Sequence, residues 1–442
     1  MRAALRMPFW QALYLPGILS AFVVLGARKE SRLIQWNRSA GVWAADLALA
    51  SARAVAIGSI IHHPGEQTPM AHRKDIHQPL VTIPEHFFQK ELAGEEPPAF
   101  ATMQMLYELA TDLFARHPWD LVSEDELVLV EEAASRELCF CSVMGALGQV
   151  RALHIYLGPE GYRFFKKLQS GETLTVGEFF AAQRSVYVEF VRLGELTAPD
   201  RKFLEAMGHL LKRGTLAPIF RAMRPGYHPW YVTEGEARIL AECQWALITI
   251  CDLLQANPAL DYWDKENVYP MLSRQGEKRN EEGYRIRPVE APSLRAPMPN
   301  LPTLDEARVQ RIRGCRYPSK GVLEADHFYG AGMIGQKNER KACFRVGLAI
   351  DSQSGHAYAP EVSLPASSAG DVLTRVVLQA VESASALPQE VHVRDREFKV
   401  LLDPLAQALG FPVRVMKSLP ALDFAKNQLL GMMGDPGPLS PR

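Results

Sequence analysis

The order of apolar segments in the last third of the chain, residues 321–416, constrains the fold most. Three strand-like runs come first, and ACFRVGLAID (342–351) has the clearest strand character among them. Helical and strand-like segments then alternate, at 368–385, 390–395, 398–410 and 412–416, and an apolar helix follows at 420–433. Hairpin strands followed by β-α-β crossovers predict a mixed sheet with helices on its faces. We therefore expect an α/β domain over residues 321–434.

This order of elements resembles that of ribonuclease-H-like domains, a superfamily that includes integrases and transposases. The resemblance implies two magnesium ions held by carboxylates from the first strand, the fourth strand and a late helix. By position, Asp326 corresponds to the first-strand acid and Asp395 to the fourth-strand acid, so both are candidate catalytic and metal-binding residues. A late-helix acid is missing in a natural register, since Asp423 does not fall at the expected place. The incomplete set favours an inactive binding module over a metal-dependent nuclease.

The middle of the chain, residues 100–262, predicts an α+β domain. Apolar residues at helical spacing begin near Met103, and strand-like runs follow at 127–132, 139–145 and 150–158. A largely helical half is expected after them, at 176–192, 200–213 and 234–255.

A Pro-Gly-Tyr-His-Pro-Trp turn interrupts this helical half and supplies candidate binding residues. Tyr227, His228 and Trp230 could stack on a base or another ring. The two prolines favour the alternative that the turn is a rigid corner packed by its aromatic rings.

Residues 263–320 are rich in Pro, Arg and Glu, which favours a loop or an extended connector between the two domains. A short helix is expected at 303–313, with Thr303 as its N-cap. Arg311 and Arg313 belong to the most basic local patch of the chain and are candidate phosphate contacts. A solvated helix face is the simpler interpretation of the same charges.

The N-terminal extension, residues 1–99, differs from the rest of the chain and is expected to have low order. Its segment 8–27 carries no charge over a length that could cross a bilayer. Three interpretations remain for it: a membrane anchor, a cleaved signal peptide, or translated sequence upstream of a true start at Met70 or Met103.

Composition and motifs exclude several functional classes. The formal net charge of −1 gives no overall attraction to nucleic acid or to anionic membranes, and it leaves a local basic surface as an open alternative. The chain lacks a P-loop, a dinucleotide-binding fingerprint after a strand, a nucleophile elbow, a zinc-protease helix and paired CxxC motifs. Its six scattered cysteines are typical of buried free thiols and fit a reducing cytoplasm.

Three stretches, HPWDLVSEDELVLV, SVMGALGQVRALHIYLGPEGY and RPGYHPWYV, resemble a group of uncharacterised bacterial proteins of unknown function. The resemblance spans roughly residues 103–430 and implies domain boundaries without chemistry. We therefore expect a cytoplasmic, non-enzymatic interaction or regulatory protein that needs no cofactor. The partner classes to consider are a protein or a nucleic acid, and a membrane only if residues 8–27 form an anchor. The alternative is a nuclease, or a relic of one, that uses Asp326 and Asp395 with magnesium or manganese.

Overall fold

The computed structural model describes residues 84–172, 174–209, 214–263, 265–274, 284–295 and 299–432. The described residues form two compact units, one of 85–189 with the chain from 220 onward and one of 190–219. The segment 8–27 and most of the expected N-terminal extension lie outside the described residues.

Nine α-helices lie in the part of the chain that the structure describes. They are α1 (Phe100–Ala115), α2 (Gly158–Gln169), α3 (Val176–Ala182), α4 (Ala198–Ala206), α5 (Glu234–Ala256), α6 (Glu306–Gly314), α7 (Ala369–Ala384), α8 (Arg396–Leu409) and α9 (Pro420–Met432). Of these, α4 belongs to the smaller unit, where Thr197 and Asp200 form a capping box at its start.

Thirteen strands are described, and they form two sheets. They are β1 (Val128–Glu131), β2 (Leu138–Met144), β3 (Ala152–Leu157), β4 (Ser185–Arg192), β5 (Leu216–Met223), β6 (Trp230–Tyr231), β7 (Val268–Arg274), β8 (Tyr284–Glu290), β9 (Val322–Ile334), β10 (Ala342–Asp351), β11 (Glu361–Ser363), β12 (Glu390–Val393) and β13 (Val413–Val415). The expected fold class, an α+β region followed by an α/β region with a mixed sheet, is confirmed.

The first sheet has the order β6-β5-β4-β3-β2-β1-β7-β8. The strands β1, β2, β3 and β4 pair antiparallel, whereas β7 joins β1 in parallel and returns through an antiparallel hairpin with β8. The helix expected at 176–192 is wrong in part, because residues 185–192 are strand β4, and strand β5 was not expected at all. Six of the eight residues of β4 are buried, on both faces of the strand, so the polar alternation that normally reveals a strand is absent.

The expectation of a loop over residues 263–320 is also wrong for β7 and β8. Strand β7 buries Tyr269, Met271 and Leu272 in the sheet, where it pairs with β1 on one side and β8 on the other. Strand β8 is an edge strand whose described side chains are exposed or half-buried, and it contains Pro288. Such a strand has the composition of a connector, because an edge needs little apolar surface and tolerates proline. The short helix expected at 303–313 is α6, whose N-cap is Asp305 rather than Thr303.

The second sheet has the order β11-β10-β9-β12-β13. Strand β9 pairs antiparallel with β10 and parallel with β12, so it is the central strand between a hairpin half and a crossover half. Helices α6, α7 and α8 pack with one apolar cluster of this domain, which includes Ala325, Val391 and Leu402. Helix α9 packs on the other cluster, where Phe328, Leu348 and Leu422 are buried.

Helix α5 is the one described helix that is long and apolar enough to span a bilayer. Leu240, Leu247 and Ile250 of this helix are buried against the rest of the larger unit. Burial of this kind is what a core helix requires, so its apolar composition is explained by packing.

The turn between β5 and β6 joins the first sheet region to the second. Cys343 donates its N–H to the carbonyl of Gly226 over 2.8 Å, and His228 donates to Lys341 over 2.9 Å. Gly226 has a φ of 84°, and a Cβ there would lie 2.5 Å from Pro365 Cβ. The turn therefore pairs with the start of β10 through its backbone and lies against Pro365 at a close approach that requires glycine.

Candidate functional site

Asp326 is buried at the centre of the second sheet and is held by an arginine. It lies on β9, with 2% of the residue exposed. Its Oδ2 accepts a hydrogen bond from Arg394 Nε over 3.0 Å, and its Oδ1 accepts one from the His327 backbone N–H over 2.7 Å. Burial raises the pKa of Asp326 above its usual value, and the hydrogen bond and charge of Arg394 offset part of that rise.

Arg394 also binds the last helix. Its Nη2 lies 2.5 Å from Oδ1 of Asp423 on α9. A second link joins the same helix to β9, since the Leu422 N–H donates to Glu324 Oε2 over 2.8 Å. We call Asp326, Arg394 and Asp423 the arginine triad. The triad connects the first strand of this domain, the end of β12 and α9 through one guanidinium group.

The pairing of β9 with β12 explains why Arg394 faces Asp326. The parallel register places His392 beside Glu324, and continuing it by two residues places Arg394 beside Asp326. Successive side chains of a strand alternate between the two faces of the sheet. Arg394 therefore falls on the Asp326 side, and Asp395 does not.

Asp395 serves as the N-cap of α8. Its Oδ1 accepts a hydrogen bond from the Phe398 backbone N–H over 2.9 Å, and the residue is exposed. The structure thus gives the two candidate acids separate partners, a guanidinium for Asp326 and a helix end for Asp395. In the part of the chain that the structure describes, no group of three or more His, Cys, Asp or Glu side chains is arranged to hold a metal ion.

The candidate binding residues of the Pro-Gly-Tyr-His-Pro-Trp turn make internal contacts. Tyr227 forms a β-bridge with Ala342. The ring of His228 lies 4.2 Å from that of Phe180, centroid to centroid, and its Nε2 is 3.5 Å from Cys343 Sγ. Burial lowers the pKa of His228 to about 4, so the ring is neutral near pH 7. These contacts are those of a packed corner.

Trp230 and Arg224 fix the same turn from its two ends. The Trp230 indole N–H donates to the carbonyl of Glu91 over 2.6 Å. The Arg224 guanidinium lies between two carboxylates, with its Nη1 2.6 Å from Glu95 Oε2 and its Nε 2.8 Å from Glu236 Oε1. The turn is therefore attached through backbone, ring and ionic contacts at once.

Arg311 and Arg313 lie in the last turn of α6 and are exposed. Arg311 is 3.8 Å from Glu382, which also binds Arg308. The structure therefore keeps both arginines on the surface, in contact with solvent.

Arg394 is the residue of the arginine triad that the sequence did not single out. Arg394 directly precedes Asp395. The sequence favours Asp395 as the candidate metal ligand because magnesium is expected to bind carboxylates. The alternation of side chains along a strand could have identified Arg394. If β12 pairs in parallel with β9, only every second residue of 390–395 lies on the same face of the sheet as Asp326.

The cysteines agree with the expectation of free thiols. All six are unpaired, and five are buried. Cys315, after α6, is the exposed one and corrects the expectation that every thiol is buried.

Comparison with protein families matches two separate parts of the chain. Residues 104–271 match a family described as a domain of unknown function, DUF7309, and residues 308–430 match another domain of unknown function, DUF6930. A comparison with curated proteins gives no significant match. The chain therefore contains two domains of unknown function, each of which covers less than half of its length.

Proposed function

We propose that this chain is a non-enzymatic interaction or regulatory protein, and that its C-terminal domain is a ribonuclease-H-like module without a metal site. Two domains carry the binding: residues 100–262 extended by the β7–β8 hairpin, and residues 321–434 preceded by α6. The alternative, a metal-dependent nuclease that uses Asp326 and Asp395, is the outcome that the experiment below is designed to detect.

The strand arrangement supports the ribonuclease-H-like assignment. A hairpin of β9 and β10 is extended by β11, and two crossovers through α7 and α8 add β12 and β13 on the other side of β9. The last helix, α9, then packs on β9 and β10. A likeness of topology licenses no activity, so the function must be argued from the side chains.

The arginine triad is the observation that carries the proposal. A two-metal nuclease needs carboxylates from the first strand, the fourth strand and a late helix directed at one space. Here the first-strand acid and the last-helix acid are both bound to the Arg394 guanidinium. A permanent cation already bridges these two carboxylates and offsets one of their two negative charges, and it would repel a divalent ion brought to the same place.

The cellular setting is also part of the proposal. The six free cysteines support a reducing compartment, and the resemblance to uncharacterised bacterial proteins supports a bacterial cytoplasm.

A thermal-shift titration of the full chain with manganese and magnesium tests the proposal. Any cation that binds only the folded state raises the melting temperature by mass action. We expect no dose-dependent rise at millimolar concentrations of either metal. We also expect no metal-dependent cleavage of single-stranded or double-stranded DNA or RNA.

Asp326→Asn and Asp395→Asn are the matched variants for this titration. A rise in melting temperature that is present in the parent and lost in both variants would contradict the proposal, and metal-dependent cleavage by the parent would then establish the nuclease alternative. A rise that persists in both variants would place the ion elsewhere and leave the triad interpretation standing.

A further inference from the structure

We infer that the basic segment, defined as residues 307–323, is a contact surface for the phosphate backbone of a nucleic acid. The inference rests on the proposed function, because it names the class of partner that the interaction protein binds. It concerns α6 and the chain that follows it, and no residue of the arginine triad takes part.

The charge of the basic segment is one-sided. Between Ala307 and Leu323 the chain has five basic residues and no acidic residue: Arg308, Arg311, Arg313, Arg316 and Lys320. The nearest acids in sequence before it, Asp305 and Glu306, lie at the opposite end of α6, where they complement the positive end of the helix dipole. A local surplus of positive charge therefore exists in a chain whose net charge is nearly zero.

Intramolecular carboxylates neutralise only part of this surplus. The Arg308 guanidinium donates two hydrogen bonds, of 3.0 and 2.7 Å, to the carboxylate of Glu382. Its Nε and Nη2 groups are therefore already used within the protein. Arg311 shares the same carboxylate at the longer distance of 3.8 Å and keeps most of its side chain in solvent.

Lys320 lies near the carboxylate of Asp351, which already accepts hydrogen bonds from Ser354. The pKa of Asp351 is lowered mainly by hydrogen bonds from Ser354, and the charge of Lys320 adds to that effect. Arg313 and Arg316 form no ion pair with the other described residues, and both are exposed. At least these two guanidinium groups are available to an external anion.

The dipole of α6 explains some of these positions but not all of them. Arg311 and Arg313 stand in the last turn, where cations are favoured by the negative end of the helix. Arg316 and Lys320 lie beyond the helix, so its dipole does not require them. Arg316 also has a φ of 50°, a left-handed conformation that is uncommon for arginine and holds the chain in a sharp change of direction.

The burial of α6 selects nucleic acid over a membrane surface. A helix that binds a bilayer must insert its apolar face among the lipids. The apolar residues of α6, Val309 and Ile312, are instead buried in the core of the second sheet domain. Arginine-rich surfaces without an apolar anchor suit phosphate groups, because the planar guanidinium can bind two phosphate oxygens at once.

Fluorescence anisotropy with a labelled 20-base-pair DNA and a labelled single-stranded RNA tests the inference on the full chain. The parent should bind at least one of them at about 50 mM salt, and the logarithm of the association constant should fall linearly with the logarithm of salt. Arg313→Ala with Arg316→Ala should reduce that slope by roughly two and weaken binding on the order of 50-fold at about 0.1 M salt.

Arg285→Ala with Arg287→Ala is the matched control. These two arginines are exposed on the edge strand β8, outside the basic segment, and their removal subtracts the same charge. The control should bind like the parent, and both double variants should keep the melting temperature of the parent because all four side chains are on the surface.

Three results would overturn the inference: no binding of either probe by the parent, equal weakening in both double variants, or equally tight binding of polyglutamate or of anionic phosphatidylserine vesicles. None of them bears on the metal titration. Metal-dependent nuclease activity would contradict the proposed function. The role of Arg313 and Arg316 would still be decided by the anisotropy measurement alone.

Discussion

Arg394 lies between Asp326 and the last helix, with its Nε 3.0 Å from the Asp326 carboxylate and its Nη2 2.5 Å from that of Asp423. The carboxylate of Asp326 is almost completely buried, whereas Arg394 retains about a third of its side-chain exposure. One guanidinium therefore both compensates a buried charge and attaches α9 to the sheet.

Loss of Arg394 should destabilise the protein. Arg394→Ala leaves the Asp326 charge buried without its partner, and we expect the free energy of unfolding to fall by about 2 to 3 kcal/mol. Urea denaturation followed by circular dichroism measures the change. Adding Asp326→Asn to this variant should recover part of the loss, because the uncompensated charge is then removed.

Arg414→Ala is the control for a surface ion pair. Arg414 is mostly exposed where it meets Glu390, so its removal should change the free energy of unfolding by less than about 1 kcal/mol. Equal losses for Arg394→Ala and Arg414→Ala would mean that burial of Asp326 does not matter.

Asp395 should behave as a helix cap. Asp395→Ala removes the acceptor for the Phe398 N–H and should cost about 1 kcal/mol of stability. Asp395→Asn keeps an acceptor and should cost no more than a few tenths of a kcal/mol. Urea denaturation measures both variants. Equal free energies of unfolding for Asp395→Ala and Asp395→Asn would show that the capping hydrogen bond contributes nothing to stability.

Gly226 should tolerate no side chain. Gly226→Ala places a Cβ 2.5 Å from Pro365 Cβ at a φ of 84°, so we expect a loss of more than about 2 kcal/mol. Gly355→Ala is the matched variant, because Gly355 has a φ of 69° and an added Cβ there meets nothing within 4 Å. It should cost only the left-handed backbone penalty of about 1 kcal/mol. Similar melting temperatures for the two variants would contradict the close approach of the turn to Pro365.

His154 should make stability depend on pH. The ring is fully buried on β3, its Nε2 lies 2.8 Å from Ser185 Oγ, and burial lowers its pKa to about 3. The unfolded chain takes up the proton near pH 6.5, well before the folded state does, so the stability contribution is complete above about pH 6.5 and is lost as the pH falls toward 3.

The measurement compares the parent with His154→Gln at two pH values. Relative to the variant, the parent should lose about 2 kcal/mol of unfolding free energy between pH 7.5 and pH 5. Parallel stability profiles for the two proteins would show that His154 is protonated equally in the folded and unfolded states.

The C-terminal domain could be predicted from sequence because each of its elements has a local signal. Strand β10 has a clear strand composition, and α7 has an amphipathic pattern with a Ser368–Asp371 capping box at its start. Its strands and helices accordingly lie close to their expected positions. The same reasoning fails for β4, β7 and β8, which have the composition of a helix or a connector and become strands through their neighbours in the sheet.

The candidate site likewise contains one contact that depends on neighbouring residues in sequence and others that depend on the tertiary structure. Asp395 is a cap because it directly precedes a helix, and this relation is contained in the four consecutive residues 395–398. Asp326, Arg394 and Asp423 are far apart along the chain, with separations of 68 residues from Asp326 to Arg394 and 29 from Arg394 to Asp423. Only the register of β9 with β12 and the docking of α9 bring them together.

The sequence by itself determined the elements and the mixed sheet of the last third and the absence of the common catalytic motifs, because these depend on periodicity and on adjacent residues. The tertiary structure alone decided that the carboxylate of Asp326 faces a guanidinium rather than Asp395. The reason is that strand pairing selects one of two faces for each side chain, and a shift of one residue exchanges an acid for a base.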